Sequence, residues 1–148
     1  MNATPITADI LSKTSVPFIQ VRMPETLSGH KAHIYSTSNE QVEMVLGRIL
    51  GDADIFGWGV KVGTHRFHEM SRGTGQHGKG VTVYFPKRTE WEADLAYLAR
   101  LMDGYPFAGD IDGDDMVGPA VGHRYEFHAD PGYDIDPADV HSWYVPAH

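Results

Sequence analysis

The segment Gly29-His30-Lys31-Ala32-His33-Ile34-Tyr35 constrains the fold more than any other stretch of the chain. Successive side chains of a strand point to opposite faces, so Ala32 and Ile34 share one side while Lys31, His33 and Tyr35 share the other. An ammonium, an imidazole and a phenol are a poor choice for a core face, because burying them without partners is costly. The pattern therefore predicts a strand with one face on a hydrophobic core and the other forming the wall of a site.

The flanking segments decide what that strand belongs to. Val16 to Arg22 has strand composition, and Pro17 near its start suits a first strand position or an edge. Gly57 to Val62 reads as another strand, with Trp58, Val60 and Val62 on one face and Gly59, Lys61 and Gly63 on the other; the two glycines leave space around Lys61. Val81-Thr82-Val83-Tyr84-Phe85 is the clearest strand and ends at Pro86, and Val121 to Phe127 returns to strand. Two helices intervene. Thr37 and Glu40 stand at capping-box spacing before Val42, Val45, Leu46 and Ile49, with Gly51 as the expected stop. Thr89 and Glu92 open the second, whose stripe is Trp91, Leu95, Leu98 and Met102, ending at Gly104. Strands and helices mix without a βαβ rhythm, which predicts an α+β fold: one domain over residues 1–148, a mostly antiparallel sheet and two main helices packed on it. Residues 1–15 read as a flexible arm or a short helix around Ile10-Leu11, and 128–148 as an irregular tail with one edge strand.

Composition narrows the function classes. With 41% hydrophobic and 22% charged residues the chain reads as globular, and no apolar run approaches the roughly 20 residues a membrane span needs. No basic-then-apolar segment opens the chain, so the cytoplasm is the expected location. Lacking cysteine, it has neither disulfides nor thiolate chemistry. The net charge of −8 argues against general nucleic-acid binding, yet the charge is unevenly placed. Lys61, Arg66, Arg72, Lys79, Lys87 and Arg88 face only Glu69 within one window, whereas the charged residues from Asp103 to Asp139 are all acids apart from Arg124. An acidic chain that gathers its cations this way is expected to use them on a local anion or on a solvated basic face.

Familiar motifs fail on inspection. Asp110, Asp112 and Asp114 imitate the start of a calcium loop, but Asp115 stands at the sixth position and Val121 at the twelfth, so the tract reads as a solvated turn. His65, His68 and Glu69 lack the second histidine of the metalloprotease motif, and the glycines between Ser71 and Gly80 match no nucleotide-binding fingerprint. That stretch reads as a mobile loop carrying Arg72 and Lys79. What remains is Lys31, His33, Lys61, Arg72, Lys79, Tyr84 and Arg124. Such a set suits a phosphate monoester: guanidinium forks bind its oxygens, a lysine serves as base, and an imidazolium protonates the leaving oxygen. It serves elimination better than hydrolysis.

The order of these residues resembles the phosphothreonine lyases, a family that includes bacterial type III effectors and the lyase domains of class III and class IV lanthipeptide synthetases. The segments are Lys31-Ala32-His33, Val60-Lys61-Val62, Gly78-Lys79-Gly80-Val81-Thr82-Val83-Tyr84 and His123-Arg124-Tyr125, spanning roughly Pro17 to Phe127 and closest to the synthetase domains. The resemblance implies a phosphoserine or phosphothreonine lyase that eliminates phosphate from a precursor peptide to leave dehydroalanine or dehydrobutyrine, with no cofactor or metal. It makes Lys61 the base and His33 the acid, sets Lys31 and Tyr84 beside them, and gives the phosphate to Arg72, Lys79 and Arg124, with Arg66 as the alternative to Arg72. A separate Ser/Thr kinase, with or without a cyclase, is the implied partner. The alternative is a lyase-like module that holds a leader or phosphopeptide for partner enzymes without turning it over; an effector role on phosphorylated host kinases is weaker still.

Overall fold

In the computed structural model residues 4–87, 90–126 and 143–144 are described. The elements run β1 (Thr4–Pro5), α1 (Ala8–Lys13), β2 (Phe18–Arg22), β3 (His30–Ile34), α2 (Asn39–Phe56), β4 (Gly59–Gly63), α3 (His65–Ser71), β5 (Val81–Tyr84), α4 (Trp91–Leu101), β6 (Asp115–Met116), β7 (Val121–Tyr125) and β8 (Trp143–Tyr144). Six strands form one sheet in the order β2-β4-β5-β3-β7-β6, antiparallel at every pairing, while β1 and β8 pair parallel. The architecture is α+β, as the sequence predicts, and β2 lies at a sheet edge as Pro17 suggests.

The register explains why one sheet face is core. Ile19, Val62, Val81, Ile34 and Val121 are successive cross-strand partners, and Val60, Val83 and Ala32 form the next row. These side chains are buried together with Val42, Val45, Leu46, Ile49 and Ala53 of α2 and Leu95 and Leu98 of α4. Each Val, Leu or Ile among them contributes about 1.5–3 kcal/mol on leaving water. Trp58 is wholly buried, and its indole N–H donates to Asp94 Oδ2 at 3.2 Å, tying α4 to the sheet. No helix among the described residues is long and apolar enough to cross a membrane.

Several local expectations need correction. Helix α2 does not stop at Gly51 but continues to Phe56, because Ala53 prolongs its buried stripe. The chain leaves the helix at Gly57, whose φ of 74° is cheap only for glycine and whose N–H bonds to Ala53 O. Its N-terminal cap is shifted by one residue: Ser38 Oγ accepts from Gln41 N at 3.2 Å, and Gln41 Oε1 accepts from Thr37 N at 2.9 Å. Helix α4 begins after Glu90 without a side-chain cap bond, and Thr89 of the expected box lies outside the described residues. Of the two alternatives for the N-terminal segment, the short helix around Ile10-Leu11 is the one observed, with Ile6 and Leu11 wholly buried in the core. Helix α3, where no helix was expected, starts after Thr64 and carries His65 and His68. Of the tail, only β8 is described.

Candidate active site

The opposite sheet face is built by the same register. Gln20, Lys61, Thr82, His33, Gly122 and Met116 are successive cross-strand partners across all six strands. One row away lie Gly59, Tyr84, Lys31 and Arg124. Directly paired residues project to the same side of a sheet, so Lys61 and His33 flank Thr82 on one face, their Cα atoms about 10 Å apart at two strand spacings. This is the placement that cooperation between them requires. A cleft of about 410 Å³ opens over them, lined by Lys31, His33, Lys61, Lys79, Tyr84 and Arg124 together with Phe18, Phe67, Gln76, Thr82 and Glu126.

His33 is the most constrained of these groups. Its Nδ1 lies 2.6 Å from Asp114 Oδ2, and the Asp114 side chain has no exposed surface. Burial pushes the imidazole pKa below its ordinary value, against the opposing hydrogen bond and charge of Asp114; the ammonium groups of Lys31 and Lys79 depress it further. The ring is therefore neutral near pH 7, its proton on Nδ1 donated to the carboxylate and its Nε2 left as acceptor. Asp114 reaches this position over Gly122, where a Cβ would come within 2.7 Å of the Asp114 side chain. The tract is solvated at Asp110, Asp112 and Asp115, as expected from its composition, but Asp114 departs from it: its carboxylate is sequestered beneath a histidine.

The cations are arranged around Tyr84. Lys61 Nζ lies 5.7 Å and Lys31 Nζ 6.0 Å from the centre of its ring, and Lys61 also stands 4.8 Å from the centre of Phe18. Ring quadrupoles attract both ammonium groups and hold them apart over one phenol. Glu126 reaches Arg124 Nη2 at 2.9 Å and Lys31 Nζ at 3.8 Å. Lys79, at the end of the glycine-rich loop, is buried beside the bridge that its backbone makes with Ser36, and that burial lowers its pKa against the charges of Asp114 and Asp112. Basic and acidic windows of the sequence therefore meet at this cleft.

Other expected residues are placed elsewhere. Arg72 follows α3 and Arg66 lies on it; both are exposed, and neither is among the residues lining the cleft. Tyr35, beyond the end of β3, packs its ring against Gly78 and Gly109 of the covering loops. Gly59 and Gly63 leave no room beside Lys61, since Pro24 and Phe67 fill the places where their side chains would be. Glu126, Gln76, Phe18 and Phe67 carry no sign of a site in the sequence, and Asp114 reads there only as part of a failed calcium loop. The one available signal was Gly122 in a strand interior, a mark of close approach by another group.

No protein-family model matches the chain, and no curated protein matches it.

Proposed function

We propose that the chain is a phosphoserine/phosphothreonine lyase. The observation that carries this reading is the placement of His33 and Lys61 on one sheet face, on either side of Thr82, within a cleft that also holds Lys31, Lys79 and Arg124. In the proposed reaction Lys61 takes the α-proton of the phosphorylated residue, the electron pair forms the Cα–Cβ double bond, and the Cβ–O bond breaks. The departing phosphate takes a proton from His33 Nε2. Dehydroalanine or dehydrobutyrine and inorganic phosphate are the products, and no water is consumed.

Charge complementarity supports the roles. Lys79 and Arg124 offer donors to the phosphate oxygens, and Lys31 sits where charge develops on the substrate carbonyl or phosphate. His33 needs a second proton to act as acid, and a phosphate monoester with its second pKa near 6 brings both a proton and the negative charge that stabilises imidazolium. Asp114 then steadies the charged ring from behind. In this reading the substrate is a precursor peptide, phosphorylated in the cytoplasm by a separate kinase.

The test is incubation of the protein with a phosphothreonine peptide, without metal or nucleotide, and mass spectrometry for loss of phosphoric acid. Elimination that disappears in Lys61→Ala, with phosphopeptide binding retained, is the expected result. Saturable binding without any dehydrated product, in wild type and variant alike, identifies a binding module instead.

A further inference from the structure

Glu126 is the one carboxylate that lines the cleft among the described residues, and it lies where a phosphate ester would want to be. Its two oxygens are divided between two cations, Oε2 at 2.9 Å from Arg124 Nη2 and Oε1 at 3.8 Å from Lys31 Nζ. Two oxygens of a phosphate present the same pair of acceptors. The backbone of Glu126 is held, its N–H donating to Gly29 O at 2.8 Å, whereas its side chain keeps 30% of its surface in water. The carboxylate thus has a fixed root and a solvent-side path away from the cations.

We propose that Glu126 is a built-in competitor for the phosphate subsite: it pairs with Lys31 and Arg124, yields them to an incoming phosphate, and takes them back as phosphate departs. The inference rests on reading the cleft as a phosphate-ester site. Two effects follow. An anion that makes only one weak contact does not displace a tethered carboxylate, so the cleft discriminates in favour of multiply charged oxyanions. Product phosphate is also expelled by a group already in place, which limits product inhibition.

Titration with inorganic phosphate by calorimetry, at low ionic strength, tests this without any turnover. Glu126→Gln keeps shape and hydrogen-bonding capacity but removes the charge, and is expected to bind phosphate about tenfold more tightly, the scale of one partly exposed ionic contact. The gain should shrink as salt approaches about 1 M, where screening acts over about 3 Å. Glu126→Asp, which retains the charge, should stay near wild type. Unchanged or weaker binding by Glu126→Gln means that Glu126 orients Arg124 rather than competing with substrate, and overturns the proposal, as does failure of both proteins to bind phosphate. If the affinity gain appears but neither protein converts a phosphopeptide, the lyase reading fails and the competitor role stands. If conversion is seen but the affinity is unmoved, the reverse holds.

Discussion

Asp114 and His33 are 81 positions apart in sequence and 2.6 Å apart in the fold. The contact assigns the tautomer of His33, because a carboxylate on Nδ1 can only accept, and so determines which nitrogen faces the cleft. Asp114→Asn removes the charge that supports a protonated ring. In the proposed elimination its kcat is expected to fall about 10²-fold, the lower end of what acid–base assistance contributes, with KM little changed. Phosphate release assayed across pH checks this, and a profile superimposable on wild type would show that His33 does not depend on Asp114.

Gly122 makes that contact sterically possible. A methyl group there meets the Asp114 side chain at 2.7 Å, so Gly122→Ala must displace the aspartate or open β7 from β3. About 1–3 kcal/mol of destabilisation is expected from the overpacking, read as a lower urea midpoint, together with a rate loss like that of Asp114→Asn.

Lys79 lines the cleft and Arg72 does not, although both were expected to hold phosphate. Lys79→Gln should raise KM for a phosphopeptide about tenfold, whereas Arg72→Gln should leave it within about twofold. Equal effects would show that the loop carrying Arg72 folds over bound substrate.

Acid should destabilise the protein well above the carboxylate range. Burial of His68 lowers its pKa to about 4, and burial also lowers those of His33 and His30. A folded-state pKa below the unfolded value of about 6.5 means that the unfolded chain binds more protons in between. For His68, stability is therefore complete above about pH 6.5 and declines as pH falls toward about 4. Urea midpoints measured at pH 7.5 and pH 5 should show this loss, and His68→Gln should reduce it.

The sequence by itself determined the alternation of faces and hence the sheet. Lys31 and His33 on one strand, and Lys61 on another, were legible as polar-face residues because a strand's period of two leaves no choice once Ala32, Ile34, Val60 and Val62 are committed to the core; that these faces are one, with Tyr84 and Arg124 beside them, came from the pairing of the strands. Helix limits were less legible. Gly51 looks like a stop locally, but Ala53 continues the buried stripe and the left-handed turn falls at Gly57. Only the tertiary structure decided the partners of the site: which acid stands behind His33, which carboxylate pairs with Arg124, and which of the loop cations turns inward. Those contacts join residues far apart in the chain, so no local periodicity encodes them; they follow from strand order, and from Gly122, where the sheet lets the Asp114 segment cross its face.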